Sequence, residues 1–323
     1  MSKRRINKQQ SARIHQKQQI IQNEPRTNTA QPVLTGLVIT RYGRHVQIES
    51  ENNHRIHCSI RPNLLNSLVA GDNVLWQPEG IKQGVVISCL PRKSILGRSD
   101  KKSQVRPIAA NISQLMIVVA AKPQISWTLL DSYLVAAEYL QLQACIVLNK
   151  IDIAEEELQL RLYSDYHSLG YKIILTALNH AQGLLALEKV LENQISVFVG
   201  QSGVGKSSLI ASILPSQNIQ TGAISLRAEL GCHTTSNSVY YHLPNGGALI
   251  DSPGIREFGL WHMPARELAK GFREFKPHLE RCKYRNCNHL NDPGCAIHQA
   301  IEDGKISTSR YQNYVKICAQ FAK

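Results

Sequence analysis

The chain has no uninterrupted apolar run long enough to cross a membrane, and its first residues lack the apolar core of a secretory signal. A membrane protein and an exported one are therefore not expected, and a cytoplasmic location is. Acidic residues are also in short supply: 24 Asp and Glu stand against 37 Lys and Arg, for a net charge of +13. An excess of that sign points to a polyanionic partner. The shortage is greatest at the front, where residues 1–31 hold seven Lys/Arg, many Gln and a single Glu. With no sustained apolar face, this segment is expected to be a disordered basic tail. Its Gln-rich, Ser-poor make-up sets it apart from an organellar transit peptide.

What the chain does have is a phosphate-binding signature, placed late. Gly200-Gln201-Ser202-Gly203-Val204-Gly205-Lys206-Ser207 fits GxxxxGK(S/T), preceded by the β-branched run ISVFV and followed by the helical spacing of SSLIASIL. Glycines let backbone N–H groups crowd around phosphate oxygens, and the helix start that follows favours negative charge. Lys206 is placed for the β/γ-phosphates and Ser207 for Mg²⁺, with Ser208 completing the candidate stretch.

Two further segments choose the base and the reaction. In GGALIDSPG an apolar strand ends in Asp251, a candidate Mg²⁺ residue, and the Gly254 amide is placed to sense a γ-phosphate. In ACIVLNKID a strand ends in Asn149-Lys150-Ile151-Asp152, and a carboxylate at Asp152 accepts from both N1–H and the exocyclic amine of guanine. A site built around such a pair rejects the wrong base by roughly 10⁴–10⁵. Downstream, YKIILTALN supplies another strand ending in Thr176-Ala177-Leu178, where a guanine-contacting loop is expected. In an ordinary Ras-like enzyme the phosphate loop comes first and NKxD last. Here NKID precedes it, so the order is circularly permuted.

After DSPG comes RCKYRNCNHLNDPGCAIH. Cys282, Cys287, His289 and Cys295 give three thiolates and an imidazole at short spacing, which suits a closed, structural Zn²⁺ site. Disulfides are the rival reading, and His298 is an alternative ligand that reads rather as an exposed helix residue. The other cysteines, at 58, 89, 145, 232 and 318, are scattered and need be only small hydrophobes.

Ahead of the nucleotide motifs, Val33 to about Pro91 reads as short strands separated by Gly, Asn, Asp and Pro clusters. That length suits a small barrel of the oligonucleotide-binding (OB) type, with Arg41, Tyr42, Arg44, Arg55 and Arg61 as candidate exposed contacts to nucleic acid. The expected plan is multidomain: a tail over 1–31, an OB-like barrel over 32–92, a basic linker over 93–110, an α/β GTPase domain over 111–262 and a helical zinc module over 263–323. Helices are expected near 128–141, 155–169 and 183–193, alternating with strands. Charge spread over tail, linker and zinc region suits a large RNA surface.

Barrel, permuted NKID–GQSGVGKSS–GCHTT–DSPG order and C-terminal CxxxxCxHxxxxxC together resemble the ribosome small subunit-dependent GTPase A (RsgA/YjeQ) family. The resemblance covers nearly everything after residue 31. It implies a bacterial cytoplasmic enzyme that binds GTP/GDP with Mg²⁺, one structural Zn²⁺ per chain, and the 30S subunit with its 16S rRNA during late maturation. Hydrolysis would be stimulated by the subunit and linked to release, and a monomer is expected. By resemblance Thr235 is the Mg²⁺-binding switch threonine, with Thr234 its competitor. Ile255 occupies the position of the water-orienting glutamine of Ras-like enzymes, and by resemblance His233 takes over that catalytic role. A second reading is an RNA-binding assembly scaffold that holds guanine nucleotide as a structural ligand.

Overall fold

The computed structural model describes residues 32–65, 67–99, 105–214, 238–252, 263 and 265–321. The basic tail lies outside the described residues, as do GCHTT and Gly254.

The barrel forms from β1 (Leu34–Tyr42), β2 (His45–Ser50), β3 (Arg55–Ile60), β4 (Asn73–Gly80) and β5 (Gln83–Cys89). Alternation aims Val46, Ile48, Ile56, Cys58, Val74, Trp76 and Val86 into one small core. The strands follow the order β1-β2-β3-β5-β4, and β4 returns to pair with the first half of β1, which closes the barrel. The pairing shifts between Val38 and Thr40, so one long strand can serve two neighbours. The OB-type expectation holds.

Residues 93–110, read from sequence as a basic linker, carry a hairpin of β6 (Ile95–Ser99) and β7 (Val105–Ala110). Its apolar positions explain it: Leu96 and Ala109 are fully buried in the main core, and Ala110 is fully buried beside them. Asn111, in the left-handed region, accepts from the Lys93 amide and donates to the Gly71 carbonyl, each at 2.8 Å, which pins the hairpin to the barrel.

The nucleotide domain is built on β8 (Gln114–Ala120), β9 (Gln143–Asn149), β10 (Lys172–Leu175), β11 (Ile195–Val199), β12 (Val239–His242) and β13 (Ala248–Asp251). The order is β10-β9-β8-β11-β13, all parallel, with β12 antiparallel at the end. Every residue of β8 is buried, as a strand covered on both faces requires. Leu115, Ile117 and Val119 join one apolar cluster and Met116, Val118 and Ala120 the other. Around the sheet lie α1 (Trp127–Tyr139), α2 (Glu156–Asp165), α3 (Ala181–Leu191) and α4 (Lys206–Ile213). The first three fall within a few residues of the helices read from sequence. The sheet does not stop at β12: Thr40 of β1 pairs with Val239, so barrel and nucleotide domain share one continuous sheet.

The C-terminal residues form short 3₁₀ turns over Ala265–Gly271 and Lys276–Arg281, then α5 (Ala296–Glu302) and α6 (Thr308–Phe321). Phe272, Phe275, Ile297, Tyr314 and Ile317 pack into the same core as α1.

Candidate nucleotide site and metal centre

The phosphate loop follows β11, whose carboxyl end delivers Gly200 to the edge of the sheet. Lys206 opens α4 and is buried, its Nζ donating to the carbonyls of Gly200 at 2.7 Å and Gln201 at 2.5 Å. The loop is thus wrapped around its own ammonium group.

The loop is held by residues distant in sequence. Asn149 is buried at the end of β9, and its Nδ2 donates to the Val204 carbonyl at 2.9 Å. Lys150, in the left-handed region, donates from Nζ to the carbonyls of Gly203 at 2.8 Å and Lys122 at 2.9 Å. Gly205 is required at this joint, because a Cβ there would collide with the Asn149 amide. Asp152 follows on an exposed 3₁₀ turn over Ile151–Ile153. The Ile151 amide donates to the Thr176 carbonyl at 3.2 Å, which brings the 176–178 loop beside NKID. Within that loop Thr176 and Ala177 are buried and Leu178 is exposed. Asn149 Oδ1 and Thr176 Oγ1 are both buried polar atoms without a partner among the described residues.

Helix α1 adds a support that sequence reading missed. Its N-cap residue Ser126 donates its amide to Gln201 Oε1 at 2.9 Å. Tyr133, two turns further on, is hydrogen-bonded to the Gly200 backbone; burial pushes its phenol up to about 12, so it stays neutral. The pattern SWTLL marks a helix start, but nothing in it reveals what the cap leans on.

On the far side of the loop, Asp251 ends β13 at an intermediate exposure and Ser252 beside it is buried. Gly254, Ile255, His233, Thr234 and Thr235 lie outside the described residues.

The metal centre is independent of these. The ligand atoms of Cys282, Cys287, His289 and Cys295 all lie within 4.8 Å of one another. His289 Nδ1 stands 3.5 Å from Cys282 Sγ and 3.7 Å from Cys295 Sγ. Tetrahedral Zn²⁺ with ordinary bond lengths sets an N–S separation of about 3.6 Å. The donor set therefore fits Zn²⁺. Burial, aided by the thiols of Cys295 and Cys282, pushes the Cys287 thiol up to about 12, and burial holds the His289 imidazole below its ordinary value. A cation at the centre reverses the first effect and is served by the second, since it needs thiolates and a neutral imidazole. His289 sits in the left-handed region, and the Tyr311 hydroxyl donates to its carbonyl at 3.1 Å. His298 is outside the cluster. It is half-buried rather than exposed, its Nε2 lying 2.8 Å from the Tyr311 hydroxyl. Of the scattered cysteines, Cys58 and Cys145 are buried and Cys89 is half-buried, and burial pushes all three up to about 12; Cys232 lies outside the described residues.

On the barrel, Tyr42, Arg44, Arg55 and Arg61 are exposed as expected. Arg41 is only partly so, and donates to the carbonyls of Gly43 and Leu68.

A family model described as RsgA GTPase matches residues 89–261. The chain belongs to the RsgA GTPase family. Among curated relatives, the "Small ribosomal subunit biogenesis GTPase RsgA 1" of Vibrio vulnificus is 45% identical, over 89% of this chain and 84% of the relative. The "Small ribosomal subunit biogenesis GTPase RsgA" of Haemophilus influenzae strain PittGG is 42% identical over 98% and 95%. Among solved structures, YjeQ from Thermotoga maritima is 30% identical with a TM-score of 0.73, covering 90% of this chain and 98% of that one. YloQ, a circularly permuted GTPase, is 26% identical with a TM-score of 0.70, over 92% and 97%. As a family member the chain is a GTP-hydrolysing enzyme with the permuted fold. Among the described residues, no helix is long and apolar enough to cross a membrane.

Proposed function

We propose that this GTPase acts on the small (30S) ribosomal subunit in its late maturation, with hydrolysis stimulated by the subunit and coupled to release. The observation that carries the nucleotide half is the pair of long-range bonds from Asn149 to Val204 and from Lys150 to Gly203. They lock the base-reading loop to the phosphate loop, so a nucleotide with both guanine and phosphates meets one rigid cradle. Asp152 reads the guanine edge, and residues 176–178 wall the base. Gly200 to Ser208 hold the phosphates, with the Gly254 amide sensing the γ-phosphate. Mg²⁺ is shared by Ser207, Asp251 and Thr235. The zinc ligands hold one structural ion per chain. The subunit half rests on the names its relatives carry and on the net charge of +13, which suits 16S rRNA. The working unit is a cytoplasmic monomer divided at about residues 32, 93, 111 and 263.

Phosphoryl transfer depends mainly on positioning and electrostatics. Ile255 cannot orient the attacking water, and His233 is the residue assigned that task. Single-turnover hydrolysis at saturating 30S is the test. The wild-type chain is expected to accelerate on adding subunits, and His233→Ala to lose about 10²-fold of that rate with GTP affinity retained. No acceleration of the wild-type chain would leave the scaffold reading in its place. Asp152→Asn should turn base preference towards xanthine, whose 2-oxo group accepts from the new amide; unchanged GTP preference in competition binding rejects the Asp152 role.

A further inference from the structure

The zinc centre leaves one feature without a role in folding or catalysis. Between the ligands Cys282 and Cys287 the chain carries Lys283, Tyr284 and Arg285, all exposed, with Arg281 exposed just before them. Tyr284 is a large aromatic with 45% of its surface in solvent, and the Lys283 ammonium lies 5.5 Å from its ring centre. An exposed tyrosine set among three cations is an unusual use of a surface, since solubility asks for the charges without the ring.

The loop that carries it is rigid for reasons independent of the ring. A zinc ligand stands at each end. The Lys283 amide donates to the Gly294 carbonyl at 3.0 Å, and the Cys287 amide to the Tyr284 carbonyl at 3.3 Å. Helix α6 braces the same knot, where Tyr311 donates to the carbonyls of His289 and Leu290 and Tyr314 to that of Asn288. A flat ring on a fixed loop loses little entropy when another flat group settles on it. The surrounding cations require that the group be carried by an anion. Single-stranded RNA supplies both, a π-face on every base and a phosphate beside it.

We infer that Tyr284 is a stacking platform for an unpaired RNA base, with Arg281, Lys283 and Arg285 holding the flanking phosphates. The inference rests on the proposal that the chain's partner is ribosomal RNA and adds the part of the RNA that this loop takes: an unstacked nucleotide rather than a duplex backbone.

Stacking and charge leave different signatures in a salt titration. Neutralising a phosphate contact lowers the slope of log K against log salt by about one, whereas loss of a stacked base leaves the slope alone. Affinity of the full-length zinc-loaded chain for purified 30S subunits, and for a ten-nucleotide single-stranded RNA, is measured from low to moderate salt. Tyr284→Ala is expected to weaken both by about five-fold or more, at unchanged slope and zinc content. Tyr284→Phe should restore binding, and Lys283→Ala should reduce the slope. Equal affinity of Tyr284→Ala and wild type for the subunits overturns the inference. So does a loss on the subunits with none on the RNA, which would assign the ring to an acidic ribosomal protein. A wild-type chain that binds neither would remove the RNA partner itself, and the platform with it.

Discussion

Where the barrel meets the nucleotide domain, Ile39 and Ala70 join the main core and the polar contact runs along the backbone: β1 continues the sheet through Thr40 and Val239, and Gly71 lets the Ala110 carbonyl of the hairpin approach. One exposed pair, His242 Nε2 to Glu49 Oε1 at 2.6 Å, spans the rim. Where the zinc module meets the same domain, apolar packing of Phe272, Phe275 and Tyr314 encloses buried charge. Arg310 of α6 is 1% exposed and lies between Asp131 of α1 and Glu274, with its Nε 2.6 Å from Glu274 Oε1. Asn313 donates to the second oxygen of Asp131 at 2.6 Å. The guanidinium also lies 4.9 Å from the centre of the Phe272 ring and 5.0 Å from that of Tyr166. A sheet edge tolerates small slips and is set by register. A buried guanidinium between two carboxylates has one good geometry, and any loss leaves an uncompensated charge. The two modules are therefore attached with different tolerances: the barrel by a graded seam, the zinc module by a joint that is either made or broken.

The largest effect should come from the module's own integrity. Structural Zn²⁺ contributes apparent binding free energies of about 10–16 kcal/mol in small zinc domains. Cys287→Ala is expected to lose the metal, open residues 282–321 to protease and leave the barrel folded. Metal analysis with limited proteolysis reads both; full metal content and resistance in the variant would show that the ligand set is wrong.

The joint itself comes next. Arg310→Met keeps the volume but strands Asp131 and Glu274, at a cost of roughly 3–5 kcal/mol in urea unfolding. Removing all three charges together should cost less than removing Arg310 alone, which is the mark of stranded charge rather than lost packing. Were the two variants equally unstable, the joint would be a packing contact and the contrast with the seam would fall.

At the seam the corresponding change is Gly71→Ala. Its φ is +89°, and a Cβ would meet the Ala110 carbonyl and come within 2.9 Å of Ile250 Cδ1. Left-handed strain alone costs about 1–2 kcal/mol. A total of about 2–3 kcal/mol is expected, since the Ala110 atom is backbone and the strand must shift to admit the methyl. A cost as large as that of Arg310→Met would make the seam as intolerant as the joint.

How much of this was legible beforehand follows the same division. The phosphate loop and NKID are readable because their chemistry demands particular residues at fixed local spacing, and the gathering of Cys282, Cys287, His289 and Cys295 because a tetrahedral ion would draw four donors from one short segment. The seam was not readable. Pairing of Thr40 with Val239 joins strands far apart in the chain, and no local pattern records it. Residues 93–110 read as a linker because five Lys and Arg stand there against a single Asp, while the residues that decide, Leu96, Ile108 and Ala109, are few and buried. Arg310 is the sharpest miss: in an amphipathic helix an arginine reads as surface. Arg92, bonded to the fully buried Asp72 at 2.6 Å, is a similar case. Part of the positive charge that sequence reading assigned to an RNA surface is used inside the fold.

The smallest effect lies at the edge of the joint, and its pH dependence has a definite sign. Glu138, at the end of α1, accepts from Arg273 Nε and Lys276 Nζ, each at 2.6 Å. Burial alone would raise its carboxyl, but the hydrogen bonds from Lys276 and Arg273, with their charges, hold it below the ordinary value. A carboxyl lowered in the folded state contributes stability above its unfolded pKa of about 4.3. That contribution is lost as pH falls through the lower folded value. Because Lys276 is half exposed, solvent screening limits the contribution to about 1 kcal/mol or less. Glu138→Gln should therefore be less stable than wild type by that amount at pH 7, and the gap should close as pH drops below the ordinary glutamate range. Added salt should narrow it at pH 7 as well. The Arg310→Met deficit should persist at high salt, since desolvated charges are little screened. Thermal melts of both variants across pH and salt make the comparison; a Glu138→Gln gap that widens on acidification would mean that burial, not the paired cations, governs this carboxyl.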